Sequence, residues 1–184
     1  MKDIKTDITS DEELFALYKK KGNDKYFREL YDRYSKKVYA YCMRAVPDAE
    51  AARDVYQKTW ATIVEKKESF TGGSFIAWLM VITRNNCLMA KRTMKYTDEI
   101  TENTLVADDF AKNDFKLKEI LMNKIKSLPD EMAEIILLKY YDEFSYKEIA
   151  DVLNIEMSLV KVRLFRAKKL LSKSLAFLKE NRYE

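Results

Sequence analysis

The sequence predicts an all-α fold, two small helical domains joined by a flexible linker, with a helix-turn-helix in the C-terminal one. Three observations carry that prediction. Only three glycines and two prolines occur among 184 residues, so few positions interrupt a helix. Apolar residues recur at three- and four-residue spacing over long stretches. Two Ser-x-x-Glu sequences, at Ser10 and Ser145, have the spacing of a capping box at a helix start.

Taken in order, Ser10 to Glu13 opens a short helix carrying Leu14, Leu17 and Tyr18. A second helix, 26–46, aligns Phe27, Leu30, Tyr31, Tyr34, Val38, Tyr41, Cys42 and Ala45 on one face, and Pro47-Asp48 ends it. Asp48 caps a third, 49–67, with the stripe Ala52, Val55, Tyr56, Trp60 and Ile63. Gly72-Gly73 marks a loop. A fourth helix, 74–94, is expected to bury Phe75, Trp78, Leu79, Ile82 and Met89. These elements form a first domain, 1–95.

From 96 to 113 the periodicity fades and Asp98, Glu99, Glu102, Asp108 and Asp109 accumulate, which reads as an acidic linker. The second domain, 114–184, resumes with Leu117, Ile120, Leu121 and Ile125. Pro129 is expected to start the next helix, with Met132, Ile135, Ile136 and Leu138. The helix begun at Ser145 carries Ile149, Ala150 and Leu153. Ala150 is small enough to let a following helix cross closely, Asn154 stands where the turn needs a left-handed residue, and Val160 is the core residue of the second helix. An ordinary helical hairpin is the alternative.

Composition narrows the function. There is no histidine, which removes the usual zinc sets and imidazole acid–base chemistry, so neither catalytic residues, nor a metal, nor a cofactor is expected. Cys42 and Cys87 lie in apolar helical patterns and read as buried free thiols. No stretch approaches the roughly 20 apolar residues of a membrane span, and the N-terminus lacks a signal-peptide core, so a cytoplasmic location without membrane insertion is expected.

A net charge of +4 is too small to imply nucleic acid by itself, but its distribution is uneven. No acid occurs from 157 to 178, where Lys161, Arg163, Arg166, Lys168, Lys169 and Lys173 fall on the helix that enters the major groove in this motif. Ser158, Lys161 and Val162 are placed to approach base edges, and the later cations to approach phosphates. A second acid-free stretch, 69–97, holds Arg84, Lys91, Arg92 and Lys95 among Phe70, Phe75, Trp78 and Tyr96. Two basic surfaces suggest two contacts with DNA, the aromatic one suited to single-stranded bases.

Three motifs carry a family resemblance. Ala52-Arg-Asp54-Val-Tyr-Gln57-Lys-Thr-Trp60 resembles the pattern AEDLVQEVF, and the run from Ser69 through Phe75 and Trp78 to Asn85 resembles SFRG…FRAWLYRIARN. Leu128-Pro129, Ser145-Tyr-Lys-Glu148-Ile-Ala150 and Val160-Lys161-Val-Arg163-Leu-Phe-Arg166-Ala167 resemble LP…LSYEEIA…TVKSRLFRA. In this order they are similar to regions 2.2, 2.3–2.4 and 4 of the sigma-70 type sigma factors of bacterial RNA polymerase, specifically the extracytoplasmic-function (ECF) group.

The resemblance implies an initiation subunit without catalytic activity that directs core polymerase to −35 and −10 promoter elements and assists melting. It implies that Asp54, Gln57, Lys58 and Trp60 bind core polymerase, at its β′ clamp, with the β flap as a second contact. Thr71, Gly72, Gly73 and Ser74 correspond to the loop that captures a flipped −10 base, with Asn85 in the pocket and Arg84, Asn86, Lys91 and Arg92 nearby. Extruding a base costs a few kcal/mol, which stacking and hydrogen bonds must offset. Tyr146, Ser158, Leu159, Lys161, Val162, Arg163, Arg166 and Lys168 correspond to the −35 reader. It also implies an anti-sigma partner and a monomer when free.

The chain departs from the pattern at several positions. Arg53 and Lys58 stand for two Glu, Ser158-Leu159 for Gly-Thr, Val162 for Ser, Met89 for a polar residue and Ala133 for Arg. A stand-alone regulator using the same helix-turn-helix, its first domain serving dimerisation or sensing, is the alternative reading.

Overall fold

The computed structural model describes residues 10–97 and 112–176. Among these there are eight α-helices, one short 3-10 turn and no strand. The helices fall into two compact units of four. Most of the acidic stretch lies outside the described residues.

The first unit comprises α1 (Asp11–Lys21), α2 (Asp24–Ala45), α3 (Ala49–Glu65) and α4 (Phe75–Thr97). The Ser10 capping box forms with both of its hydrogen bonds, and Gly22 ends α1 in the left-handed conformation. Helix α3 packs on α2 and α4, and α1 on α2 and α4. Asp11, at the start of α1, accepts from the Arg33 guanidinium at 2.8 Å and from the Tyr34 hydroxyl on α2. Burial, then the bond to Asp11, pushes the Tyr34 phenol above its ordinary pKa.

Phe15 is fully buried at the centre of an aromatic cluster. Its ring lies 5.4 Å from Phe70, 4.9 Å from Phe75 and 5.4 Å from Trp78, within the range of favourable aromatic pairing. Phe70 and Phe75 bracket the stretch 71–74, of which 71–73 are exposed. Two polar contacts from α1 secure the same bracket. Lys19 Nζ donates to the Phe70 carbonyl at 3.0 Å, and the Phe75 N–H donates to Glu12 Oε1 at 3.0 Å. The second of these caps α4 with a carboxylate, where the helix dipole favours negative charge.

Cys42 and Cys87 are buried thiols not joined by a disulfide, as expected, with their sulfurs 4.0 Å apart between α2 and α4. That contact, then burial, pushes the Cys42 thiol up. Of the α4 residues expected in the core, Trp78 and Ile82 are only half-buried and Met89 is exposed. The last is 55% exposed, because α4 buries Leu79, Met80, Thr83, Asn86 and Cys87 and turns 89 outward.

The second unit comprises α5 (Lys112–Lys126), α6 (Asp130–Tyr140), α7 (Tyr146–Leu153) and α8 (Met157–Ser174). Pro129 is the N-cap of α6 rather than its first residue, since its ψ of 138° is extended. Ile125, Leu128, Ile135, Leu138, Phe144, Ile149, Val160 and Leu164 form the core.

Removing the Phe15 ring leaves a cavity that the surrounding aromatics fill only in part. Phe15→Ala is expected to cost about 3–5 kcal/mol, measured by urea unfolding followed through tryptophan fluorescence, since both tryptophans lie in the first unit. Glu12→Ala is expected to cost about 1 kcal/mol at the start of α4. It should appear as roughly five- to tenfold faster hydrogen exchange at the Phe75 amide, and Glu12→Gln should restore part of the protection.

Candidate nucleic-acid interface

Helix α3 buries Ala52, Val55, Thr59, Trp60 and Ile63. Asp54, Gln57 and Lys58 therefore share the outer side and are exposed, together with Arg53, Ala61 and Val64. Trp60 does not join them. It is 7% exposed and packed against Phe27, Tyr31 and Tyr56, with ring centroids 5.9, 4.8 and 6.5 Å away. Its indole N–H makes no hydrogen bond of ordinary geometry, although it bears on the Tyr56 hydroxyl. Trp60 is thus a core residue rather than a contact for a partner.

The loop between Phe70 and α4 exposes Thr71, Gly72 and Gly73. Both glycines have positive φ, +135° and +88°, and both face open space, so any side chain there is strained by the backbone alone. Ser74 is half-buried and accepts from the Ala77 N–H at 3.3 Å. Beside the loop lies a cleft of about 450 Å³, lined by Ala16, Lys19, Lys20, Phe70, Thr71 and Gly72 among others. The contribution of α1 to this wall carries no local signature in the sequence, because Lys19 and Glu12 meet partners 51 and 63 residues away.

Along α4, Asn85, Met89 and Arg92 are exposed at helical spacing, in line with the half-buried Trp78 and Ile82. Lys91 is also exposed and Arg84 half-buried. Asn86 departs from its expected role. It is buried, and its amide donates to Thr59 Oγ1 at 3.3 Å, while Thr59 donates to the Val55 carbonyl. A buried amide satisfied in this way joins α3 to α4 and does not reach a base.

In the second unit the Ser145–Glu148 capping box forms in full. Asn154 takes the left-handed conformation, φ 53° and ψ 52°, and ends α7, while Ala150 and Val160 are buried where α7 meets α8. On α8 the buried stripe is Val160, Leu164, Ala167 and Leu171. Ser158, Leu159, Lys161, Val162, Arg166 and Lys168 are exposed. Tyr146 is exposed too, with Lys139 Nζ 5.2 Å from its ring centre.

Arg163 is the exception. It is half-buried and forms an ion pair with Glu131 of α6 at 2.6 Å, because it flanks the buried stripe. In this arrangement it ties α8 to α6. Phe165, the Phe of the Leu-Phe-Arg166-Ala167 motif but not among the expected site residues, is 66% exposed beside Arg166. Its place outside the 160/164/167/171 stripe follows from periodicity alone.

The comparisons agree with this division into two units. Residues 30–95 match the model of sigma-70 region 2, and residues 118–171 that of sigma-70 region 4. The ECF RNA polymerase sigma factor SigW of Bacillus subtilis (strain 168) is 31% identical over 172 residues, covering 85% of this chain and 92% of the relative. The ECF RNA polymerase sigma-E factor of Escherichia coli (strain K12) is 29% identical over 166 residues, covering 80% and 85%.

Among solved structures, CnrH in complex with the cytosolic domain of CnrY shares the fold, with a TM-score of 0.70 at 21% identity over 91% of this chain and 98% of that one. The sigma factor RpoE in complex with the anti-sigma factor NepR, from Bartonella quintana, gives a TM-score of 0.65 at 25% identity over 82% and 96%. No helix among the described residues is long and apolar enough to cross a membrane. With region 2 in its first unit and region 4 in its second, the chain belongs to the ECF sigma factors of the sigma-70 family, non-catalytic subunits that direct RNA polymerase to promoter-specific initiation.

Proposed function

We propose that this chain opens promoters by dividing recognition between its two units, one for the −35 duplex and one for a melted −10 strand. The observation that carries this reading is the outer side of α8. Its far side is pinned into the core by Val160, Leu164, Ala167 and Leu171, while Lys161, Arg166, Lys168, Lys169 and Lys173 are exposed on a helix with no acid from Met157 to Ser174. Such a surface attracts a polyanion and offers it a rigid element of the right width for a major groove.

In the first unit, Thr71 to Ser74 form the capture loop for a flipped base and Asn85 supplies an amide able to both donate and accept at a base edge. Lys91 and Arg92, farther along α4, hold the backbone of the strand. Asp54, Gln57 and Lys58 on the outer side of α3 dock on the β′ clamp of core polymerase, and the second unit also meets the β flap. Arg53 and Lys58 make this docking surface more basic than the family pattern. As RpoE of Bartonella quintana is seen with the anti-sigma factor NepR, we extend to this chain an anti-sigma partner, and a monomeric state when neither partner is bound.

The purified chain with core RNA polymerase should initiate at defined promoters, and failure to bind core polymerase overturns the reading. Asn85→Ala should lower promoter opening by roughly tenfold, scored by permanganate reactivity of melted thymines, with core binding unchanged. Equal loss of both places Asn85 outside the capture site. The double variant Lys161→Ala/Arg166→Ala should weaken −35 binding and flatten its dependence on log salt by about 0.9 for each phosphate no longer neutralised. An unchanged slope places these cations away from the backbone.

A further inference from the structure

The buried positions of α8 fix the direction of its opposite side. At about 100° per residue, Val162 and Lys169 face almost directly away from Val160, Leu164, Ala167 and Leu171, with Ser158 and Phe165 to one side of them. Val162 is 43% exposed and Phe165 66% exposed, one turn apart, with Arg166 and Lys169 next to them. Val162 thus leaves nearly half, and Phe165 about two-thirds, of its surface in contact with water. The result is an apolar spot inside a cationic, acid-free surface.

The charge selects DNA as the occupant, and the apolar spot selects one group on it. Valine has no donor or acceptor, so Val162 cannot read a base edge by hydrogen bonding, as the serine of the family pattern could. In the major groove the one apolar group that distinguishes bases is the C5 methyl of thymine. We propose that Val162, with Phe165 beside it, is a specificity-determining residue that reads a thymine methyl in the −35 duplex. This rests on α8 being the −35 reader and adds the identity of a base it prefers.

The probe is a duplex pool randomised across the −35 segment and selected with the full chain bound to core RNA polymerase. Each thymine of the enriched sequence is then replaced by deoxyuridine, which removes the methyl and nothing else. One replacement should weaken binding about fourfold, the effect of exposing a single buried methyl group. In Val162→Ala that penalty should shrink to less than about twofold, and Val162→Ile, which keeps a branched side chain, should retain it. Because position 162 is exposed, thermal melting should be unchanged in both variants, separating loss of readout from loss of fold.

A deoxyuridine penalty of equal size in the wild-type chain and in Val162→Ala overturns the assignment, as does the absence of any penalty. Enrichment of no sequence despite core binding overturns α8 as a reader altogether, and so this inference with it. The parent reading and the base assignment therefore fail in different ways.

Discussion

The packing of Phe15 against Phe70 and Phe75 is the interaction on which the first unit's surface depends. Those two rings bound the loop at 71–74, and with both seated on one buried side chain the span between them is set by the core. The glycines then supply backbone shapes that other residues resist, at positions where no neighbour crowds them. Glu12 and Lys19 add direction, one to the helix that follows the loop and one to the carbonyl that precedes it. A loop built this way is anchored at both ends, which reduces the ordering cost when it meets a ligand.

The second unit solves a different problem with one helix. Its α8 has to be fixed in direction while leaving its outer side bare, and the short α7 achieves this through a turn that Asn154 completes in the left-handed conformation. Ala150 and Val160 are both buried in the unit's α7–α8 pair, where a small residue lets helices cross closely. Arg163 and Glu131 then clamp α8 to α6 across the flank of the core. An ion pair between partly exposed groups contributes little stability, so the buried stripe Val160, Leu164, Ala167 and Leu171, rather than this pair, sets which side chains of α8 face outward.

In the proposed reading the two units place chemistry suited to different states of DNA on separate elements. A duplex needs a convex element that fits a groove, and α8 provides one. A flipped base needs a loop and a side-chain amide that approach it from more than one side, which the 71–74 loop and Asn85 supply in the proposed reading. A sigma factor that carries both on separate units can hold the duplex end of a promoter while the other end melts.

Much of this was legible in the residues. Helical spacing located the helices, the two Ser-x-x-Glu sequences located two of their starts, and the spacing of Ala150, Asn154 and Val160 located the turn between α7 and α8, because each of these depends on contacts within a few residues. Periodicity also separated Asp54, Gln57 and Lys58 from the buried side of α3 and put Trp60 on that buried side, whereas the motif resemblance grouped Trp60 and Asn86 with their surface neighbours. What decided those two was the partner helix: aromatic rings from α2 enclose Trp60, and Thr59 of α3 satisfies Asn86. The same holds for Arg163, which only Glu131 reveals as a structural pair, and for Glu12 and Lys19, whose partners lie far along the chain. By itself the sequence determined which elements form and which family they build, since local spacing encodes both. Only the tertiary structure decided which polar and aromatic side chains are left over for partners, because that depends on what packs against each of them.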